Sequence, residues 1–300
     1  MRGTIVKALA GFYYVYADGT VYECRARGVF RKGSLSPLVG DDVEMTVVAQ
    51  PGTQPSASSP EMGVGAVDAV LPRTCSFARP PVANVDLMVI VVSVKDPAPS
   101  FRILDRVAVA AEKAGVEILI CVSKIDLAED DILQRTRDHY KNAYPVLMVC
   151  AKTGEGMEEL RALLKGKKAA LAGPSGAGKS TLTNALMGRA VSATGEISEK
   201  LKRGRNTTRH CELFRSGDFF LFDTPGFTSF ENEGLDPAEI AHLFPDFAPY
   251  LDCRFDDCRH ISEPDCGVIK AVEEGKISRG RYESYKDIYE AAVKAGREFK

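Results

Sequence analysis

The sequence has 300 residues, 45% of them hydrophobic, and a net charge of −2, values typical of a globular protein with two or three domains. The near-zero charge excludes binding to nucleic acid through the overall charge of the chain, so any such surface must be a local patch. The amino terminus has no long apolar run, and nowhere do about 18 uncharged apolar residues follow one another. We therefore expect neither a secretory signal nor a membrane span.

The eight cysteines fall into two groups. Three lie close together near the carboxyl end, and the other five are scattered: Cys24, Cys75, Cys121, Cys150 and Cys211. Scattered cysteines of this kind are typical of buried free thiols in a reducing compartment. We therefore expect a cytoplasmic protein.

The first 75 residues are predicted to form a small β-barrel. Two strand-like runs, 12–16 and 21–24, flank Asp18-Gly19, which is a strong hairpin signal. A segment rich in Pro, Ser and Gly over 50–65 is predicted to be a long mobile loop. Further strands are predicted at 29–30, 43–48 and 65–71. Five short strands favour an OB-type barrel, a common platform for single-stranded nucleic acid or structured RNA.

Basic residues surround Phe30 in this segment, namely Arg25, Arg27, Arg31 and Lys32. Positive side chains next to an aromatic ring are typical of surfaces that bind single-stranded nucleic acid. They also occur on solvated hairpins, which is the simpler interpretation, and both remain open.

From residue 84 onward, strands alternate with helices. The run 87–92 is continuously apolar, as in a strand buried on both faces of a parallel sheet. The other predicted strands are 117–122, 146–150, 168–172 and a hairpin of 211–214 with 219–222. The predicted helices are 101–114 with Ser100 as its cap, 131–141, 157–165 and, in a mostly helical tail, 278–299. This alternation predicts a doubly wound, mostly parallel α/β sheet.

Residues 173–181 match the phosphate-loop pattern G-x-x-x-x-G-K-[ST] at every fixed position. A predicted strand precedes the loop and a helix over 182–187 follows it, which is the context that the motif requires and that a chance glycine-rich turn lacks. Lys179 is expected to reach the β- and γ-phosphates, and the Ser180 hydroxyl to coordinate Mg²⁺. The residues expected to surround the phosphates are Gly173, Pro174, Ser175, Gly176, Ala177, Gly178, Lys179, Ser180 and Thr181.

Two further segments are expected to complete the phosphate and magnesium site. Asp223-Thr224-Pro225-Gly226 follows a predicted strand and matches the D-x-x-G signature of GTPases. Asp223 is expected to hold Mg²⁺ through a water, and the Gly226 N–H to sense the γ-phosphate. Thr207 and Thr208 lie in a basic segment between the two motifs, which suits a switch loop whose threonine, Thr208, completes the Mg²⁺ shell.

Two motifs upstream indicate guanine as the base. Ser123-Lys124-Ile125-Asp126 resembles N-K-x-D, whose aspartate accepts hydrogen bonds from guanine N1–H and the 2-amino group. Lys124 is expected to lie along the base plane. Cys150-Ala151-Lys152 resembles S-A-K, whose backbone N–H contacts guanine O6. Each motif follows the carboxyl end of its own predicted strand, where such sheets bind ligands.

These base motifs precede the phosphate loop, whereas in ordinary GTPases they follow it. All the loops converge on one edge of the sheet, so the chain can begin elsewhere without moving the site. In this order the segment 223–226 leads almost directly into the carboxyl-terminal region. We therefore expect the nucleotide state to set the position of that region.

Cys253, Cys258, His260 and Cys266 lie within fourteen residues. Three thiolates and one imidazole make a closed tetrahedral structural zinc site with no open position for catalysis. The spacing differs from the usual C-x₂-C ribbon, and free thiols near a buried histidine are the alternative.

A small β-barrel, base motifs ahead of the phosphate loop and a Cys-Cys-His-Cys cluster together resemble the RsgA (YjeQ) family of circularly permuted GTPases. The resemblance covers essentially the whole chain. We expect an OB-type barrel over 1–75, a circularly permuted GTPase domain over 76–230 and a helical zinc-binding domain over 231–300. The resemblance implies a GTP hydrolase that binds the immature small ribosomal subunit, contacts its rRNA through the barrel and the zinc domain, and leaves after hydrolysis. GTP or GDP, Mg²⁺ and one Zn²⁺ are the expected cofactors, and we expect a monomer without a membrane partner.

Three residues depart from the patterns that this resemblance provides, and a fourth, Phe227, departs from the pattern of Ras-like GTPases. Ser123 stands where asparagine is usual, so a tethering amide is lost and weaker GTP binding is expected. Cys150 replaces serine, a smaller change because the contact with the base comes from the backbone. Asn206 stands where the family usually has a histidine proposed to position the attacking water, and Phe227 where other GTPases have a water-orienting glutamine. The group that positions the water is then Asn206, nearby His210 or a group supplied by the ribosome. We assign Asn206 to the catalytic set together with Lys179, Thr208 and Gly226, and expect slow hydrolysis by the protein alone that the partner stimulates strongly.

Two rival functions remain. The first is an RNA-binding module whose nucleotide site only switches, for which Asn206 is the best argument. The second is a GTPase of the large ribosomal subunit, against which the barrel and the cysteine cluster argue. The intact Lys179, Ser180 and Asp223 favour an enzyme over a switch.

Overall fold

The structure is a computed structural model that describes residues 1–27, 36–52, 61–128, 130–191, 211–223 and 234–298. The predicted strand at 29–30, the switch residues 206–208 and the segment 224–227 therefore lie outside the described residues. The chain divides into two compact units. The first comprises Met1–Leu87, Leu164–Leu171 and Thr183–Gly226, and the second comprises Met88–Leu163, Ala172–Leu182 and Phe227–Lys300.

The first unit contains a closed five-stranded barrel. Its strands are β1 (Arg2–Leu9), β2 (Phe12–Ala17), β3 (Thr20–Ala26), β4 (Asp42–Ala49) and β5 (Gly63–Val70). They are hydrogen-bonded in the order β1-β2-β3-β5-β4, and β4 pairs with β1 to close the barrel. Its core is made of alternating inward-facing residues: Ile5, Val15, Ala17, Tyr22, Cys24, Val43, Met45 and Val67. The predicted OB-type barrel is confirmed.

The barrel differs from the prediction in its first strand, β1, which was not among the individually predicted strands. Only Ile5 of β1 is fully buried. The strand therefore does not show the alternating burial by which a half-buried strand is usually recognised. The hairpin at Asp18-Gly19 is confirmed, with both residues in the left-handed region at φ 46° and 85°. A second hairpin, β6 (Ser76–Ala78) with β7 (Pro81–Ala83), was not predicted.

Three strands extend the sheet of the first unit beyond β1. They are β11 (Lys168–Ala172), β12 (Glu212–Ser216) and β13 (Phe219–Asp223). β13 runs parallel to β11 and antiparallel to β12, and β12 pairs with β1 through Lys7 and Glu212. Lys168 at the start of β11 donates to both carboxylate oxygens of Asp42 at 2.7 Å, which links β11 to the barrel.

The second unit contains alternating strands and helices. Its strands lie in the order β10 (Val146–Met148), β9 (Glu117–Ser123), β8 (Leu87–Ser93), with β10 parallel to β9. Two helices, α1 (Phe101–Lys113) and α2 (Asp130–Tyr140), pack against β9, and α3 is Met157–Leu164. Every residue of β8 is buried, as its apolar sequence predicts. The predicted α/β fold is confirmed.

The prediction that Ser100 caps α1 with its side chain is wrong. Ser100 precedes α1, but its side chain makes no capping hydrogen bond. Its carbonyl oxygen instead accepts the N–H groups of Ile103 and Leu104 at 3.0 and 3.2 Å.

The carboxyl-terminal part of the second unit is helical. It contains α5 (Gly267–Glu273), α6 (Arg279–Glu298) and two short 3₁₀ turns at Ile240–Leu243 and Ala248–Tyr250. Phe244, Phe247 and Tyr285 form the centre of its apolar core. Among the described residues, no helix combines the length and the apolar composition needed to cross a bilayer.

All eight cysteines are free thiols. Four of the five scattered ones are buried, as predicted, whereas Cys75 is half-buried.

Candidate functional site

The phosphate loop connects β11 to helix α4 (Lys179–Met187), which is the predicted strand–loop–helix arrangement. Gly173 has a φ of 131°, and a side chain there would collide with the carbonyl oxygen of Val91. Gly178 has a φ of 94°, which also lies in the region that favours glycine. Ser175 and Gly176 at the tip are exposed, whereas Ala177 is buried. The loop is therefore exposed to solvent at its tip, at Ser175 and Gly176, and buried on either side of the tip, at Gly173 and Ala177.

Lys179 begins α4, and its side chain folds back over the loop. Its Nζ donates to the carbonyl oxygens of Gly173 and Pro174 at 2.7 and 2.8 Å. Burial lowers the pKa of Lys179 to about 8. Ser180 lies half-buried in the same helical turn, and Thr181 is exposed. The ammonium group is therefore held at the loop, where phosphate oxygens would raise its pKa again.

This pKa predicts that guanine-nucleotide affinity depends on pH. Below pH 8 Lys179 is charged before the nucleotide binds, and above pH 8 binding must first protonate it. We expect the dissociation constant of GDP to be flat near pH 7 and to rise by up to about ten-fold per pH unit above pH 8. Titrations over this range with a Lys179→Arg control, whose charge does not titrate, test the prediction. An equal rise in the control would contradict it.

Ser123 ends β9 and lies against the phosphate loop. Its hydroxyl lies 2.6 Å from the carbonyl oxygen of Ala177, to which it donates, and 3.3 Å from that of Val92. The Ser123 hydroxyl therefore makes a hydrogen bond to the phosphate loop at the position where the side-chain amide of the usual asparagine is missing. Lys124 follows in the left-handed region at φ 60°, and its Nζ donates to the carbonyl oxygen of Asp96 at 2.6 Å. The structure thus brings the first base motif and the phosphate loop together.

The second base motif contacts the first through the side chain of Cys150. The Cys150 thiol lies 3.3 Å from Asp126 Oδ1, and the carboxylate is exposed beside it. Ala151 and Lys152 follow in a turn that closes where the Cys150 N–H donates to the Glu155 carbonyl oxygen at 2.9 Å. Ser123, Asp126, Cys150 and the phosphate loop therefore form one connected cluster.

The remaining nucleotide residues are only partly described. Asp223 is the last residue of β13. Asn206, Thr208 and Gly226 lie outside the described residues, as does His210. Their assignments to Mg²⁺, to the γ-phosphate and to the attacking water remain predictions.

The Cys-Cys-His-Cys cluster is compact. The ligand atoms of Cys253, Cys258, His260 and Cys266 all lie within 4.8 Å of one another. Cys253 Sγ is 3.5 Å from His260 Nδ1 and 3.8 Å from Cys266 Sγ, and His260 Nδ1 is 3.3 Å from Cys266 Sγ. Sulfur and nitrogen ligands of a tetrahedral zinc ion lie about 3.5–3.8 Å apart, given the usual bond lengths. The three spacings among Cys253, His260 and Cys266 are close to these values, and the whole set of donors is compatible with a zinc ion.

Three residues that the sequence analysis missed support the backbone of this cluster. Tyr282 Oη donates to the His260 carbonyl oxygen at 2.8 Å, and Tyr285 Oη donates to that of Arg259 at 2.6 Å. The Glu263 carboxylate accepts three backbone N–H groups of the loop at 2.9–3.2 Å. The two tyrosines lie three residues apart on α6, a helical spacing that could have indicated a shared face.

Comparisons with known proteins agree with this geometry. Residues 70–233 match the RsgA GTPase family, and residues 2–52 match the RsgA N-terminal domain. The protein named "Small ribosomal subunit biogenesis GTPase RsgA" from Agathobacter rectalis is 40% identical over 97% of both chains. The protein of the same name from Clostridium acetobutylicum is 42% identical over 96% of both chains.

Solved structures show the same similarity. YjeQ from Thermotoga maritima superimposes with a TM-score of 0.81 at 36% identity, covering 97% of this chain and 98% of that one. YloQ, described as a circularly permuted GTPase, superimposes with a TM-score of 0.77 at 31% identity, covering 99% and 95% of the two chains. The permuted order of the motifs, the closed barrel and these full-length matches lead to one conclusion: this chain belongs to the RsgA GTPase family.

Proposed function

We propose that this protein is a GTPase that binds the small ribosomal subunit and couples GTP hydrolysis to late maturation of that subunit and to its own release. The observation that carries the proposal is the full-length similarity to relatives named small ribosomal subunit biogenesis GTPases. The matched length spans the barrel, the nucleotide loops and the cysteine cluster of this chain. Membership of a GTPase family makes the chain a GTP hydrolase that uses GTP, GDP and Mg²⁺.

The residue roles in nucleotide binding are part of the proposal. The backbone of residues 173–181 wraps the phosphates, and Lys179 neutralises charge on the β- and γ-phosphates. Asp126 accepts from the guanine N1–H and 2-amino group, while Lys124 and the 150–152 turn cover the base. Ser180, Thr208 and, through a water, Asp223 hold Mg²⁺, which when bound neutralises charge that develops on the phosphates. The motif spacing supports these roles.

The group that positions the attacking water is proposed to be supplied or ordered by the partner. Asn206 and Phe227 stand where water-positioning residues are usual, so this chain holds the water poorly on its own. A group supplied in trans raises the rate by about 10³- to 10⁵-fold in other GTPases. We therefore expect slow hydrolysis by the isolated protein and strong stimulation by the small subunit.

Asn206 also favours a second candidate function, a nucleotide-switched RNA-binding protein with little or no hydrolysis. The two candidates share nucleotide-dependent binding to the subunit. They differ in turnover, because the second binds and releases without cleaving GTP.

We propose that the cysteine cluster binds one structural zinc ion. The ion would hold the 253–266 loop closed and supply no catalysis, because all four positions are filled by protein donors. We propose that this loop and the barrel contact rRNA, with the protein acting as a monomer in the cytoplasm without a membrane partner.

Metal analysis tests the zinc assignment. We expect one zinc ion per chain, and we expect Cys258→Ser to lower both the zinc content and the melting temperature, because metal binding contributes directly to folding. Cys75→Ser is the matched control, since Cys75 lies outside the cluster and its thiol donates to the Val85 carbonyl oxygen at 3.4 Å. Equal zinc content in the protein and in Cys258→Ser would contradict the assignment.

Sedimentation with ribosomal subunits tests the proposed partner. The protein, loaded with either GDP or a non-hydrolysable GTP analogue, is centrifuged with small subunits and, separately, with large subunits. We expect co-sedimentation with small subunits in the GTP-analogue state and much less in the GDP state. Equal binding to both subunits, or binding independent of the nucleotide, would overturn the proposal.

A further inference from the structure

The turn that leads into barrel strand β4, residues 39–42, contacts the two strands that end at the nucleotide loops. We call this turn the junction segment. β11 continues directly into the phosphate loop, and β13 ends at Asp223, the expected Mg²⁺ residue. The two strands pair with each other, and Ala170 lies opposite Phe222. A shift of the junction segment can therefore be passed to both strands.

The contact with β11 is made by the side chain of Lys168. Its Nζ donates to both carboxylate oxygens of Asp42 at 2.7 Å and to the Gly40 carbonyl oxygen at 3.2 Å. An ammonium group has three donors, and all three therefore point at the junction segment. The Lys168 side chain is only 13% exposed, so a cation that left these acceptors would be largely shielded from water and unpaired. Lys168 is therefore expected to follow the junction segment when that segment moves.

The backbone of Lys168 is also held, so the start of β11 is not a loose strand end. Its N–H donates to Asp86 Oδ2 at 2.8 Å, and its carbonyl oxygen accepts the Asp86 N–H at 2.8 Å. Lys168 precedes Gly173, the first glycine of the phosphate loop, by five positions. A displacement of Lys168 is therefore passed along a short, paired strand to the phosphate loop.

The contact with β13 is made by Gly40. Its φ is 94°, and a Cβ there would collide with the Phe222 ring and the Ala83 carbonyl oxygen. The backbone of the junction segment thus packs directly on Phe222, which is 2% exposed and immediately precedes Asp223. Gly40 is tied to the barrel as well, because its N–H donates to the Ile5 carbonyl oxygen of β1 at 2.8 Å. Close packing of this kind leaves little space to absorb a shift.

The barrel has a second contact with the strands, and this contact is less suited to transmit a movement. Lys7 of β1 pairs with Glu212 of β12 at 3.3 Å. The Lys7 side chain is 34% exposed, against 13% for Lys168, so water can solvate it when the pair separates. In addition, β12 is separated from β11 by β13.

We propose that Lys168 is a positioning residue that couples the barrel to the phosphate site. A subunit bound to the barrel shifts the junction segment, and Lys168 and Gly40 pass that shift to β11 and β13. This inference rests on the proposed function, because it concerns how stimulation by the subunit reaches the nucleotide. Such coupling is reciprocal for binding, so through the same contacts the nucleotide changes the affinity for the subunit.

GTP turnover with and without saturating small subunits tests this role. In Lys168→Met, which removes the charge and keeps a long apolar side chain, we expect stimulation to fall about ten-fold while basal turnover stays within about two-fold of wild type. Asp42→Asn removes the opposite charge with little change in shape and should reduce stimulation similarly. Glu212→Gln is the matched control, since it breaks the other barrel contact and should leave stimulation unchanged.

A double-mutant cycle and a binding measurement separate coupling from a structural role. If the two charges act as one pair, Lys168→Met has no further effect on stimulation in an Asp42→Asn background. In the sedimentation experiment, the ratio of subunit affinities between the GTP-analogue and GDP states should also fall toward one in Lys168→Met.

Three results would overturn the inference and leave the proposed function intact. They are unchanged stimulation in Lys168→Met, an equal loss of basal and stimulated turnover in that variant, and an equal loss of stimulation in Glu212→Gln. A wild-type protein that small subunits do not stimulate would overturn the proposed function itself, and the inference with it.

Discussion

Replacing Lys179 with alanine is expected to lower GTP turnover by about 100- to 1,000-fold, as removal of a preorganised charge-stabilising donor does in other enzymes. Lys179 Nζ is held at the phosphate loop by the carbonyl oxygens of Gly173 and Pro174. Burial lowers its pKa to about 8, so the side chain is mostly charged near neutral pH. Single-turnover hydrolysis in the presence of small subunits measures the loss of rate in the chemical step.

Lys165→Ala serves as the control for this experiment. Lys165 is a lysine whose side chain is 75% exposed and lies near Asp218, so its removal should leave turnover unchanged. Retained binding of Lys179→Ala to small subunits, with turnover lost, supports an enzyme over a passive switch. Turnover within about ten-fold of wild type would show that this loop is not the phosphate site.

Replacing Arg281 with alanine is expected to give the largest loss of stability in the described part of the chain. Arg281 lies on α6 and is completely buried. Its guanidinium donates to Asp105 of α1 at 2.7 Å and to both carboxylate oxygens of Asp246 at 2.7 and 3.2 Å. Burial by itself would raise the pKa of Asp105, but the charge of Arg281 and the hydrogen bond from His139 hold that pKa below its usual value.

The substitution would leave Asp105 and Asp246 buried without their cation, which costs about 3–5 kcal/mol for a broken buried pair. Denaturation in urea measures the change in the free energy of unfolding. Arg102→Ala is the matched control, because Arg102 joins α1 to α6 through a partly exposed ion pair with Asp287 at 2.8 Å, and we expect less than about 1 kcal/mol there. A loss below about 1 kcal/mol for Arg281→Ala would show that the cluster relaxes or admits water.

The Arg281 cluster also constrains any movement of the carboxyl-terminal region. It ties α6 to α1 inside one compact unit. The expectation that the nucleotide state sets the position of this region remains a prediction. If such a movement occurs, α1 must move with α6 or the buried ion pairs must break.

The sequence predicted the features that depend on short spacings. The phosphate loop, the hairpin at Asp18-Gly19 and the fully apolar strand β8 each carry their signal within about ten residues. The Arg281 cluster could not be predicted in this way, because Asp105 lies 176 residues away and no local pattern links the two. Strand β1 was not predicted for a different reason: only one of its residues is buried, so it has no clear apolar face.

In the candidate site, too, local motifs were predictable from the sequence, whereas contacts between distant residues were not. Motif spacing placed Ser123 and Cys150 at the nucleotide, and comparison with the usual motifs treated Ser123 as the loss of a tethering amide and Cys150 as a smaller change. The side chains instead form hydrogen bonds to Ala177 and Asp126 that depend on folded geometry. The predicted domain boundaries at residues 75/76 and 230/231 likewise rest on sequence patterns alone. No sequence pattern indicates that β1 pairs with β12, because that pairing forms only in the folded chain.

GTP turnover with and without purified small ribosomal subunits, with large subunits as the control, tests the proposed function most directly. We expect slow turnover by the protein alone, strong stimulation by small subunits and none by large subunits. Fast turnover without subunits would contradict the proposal that the attacking water is positioned in trans. Bound GTP with no stimulation by either subunit would contradict the GTPase assignment in favour of a binding switch, and Asn206→His would then be the first substitution to make.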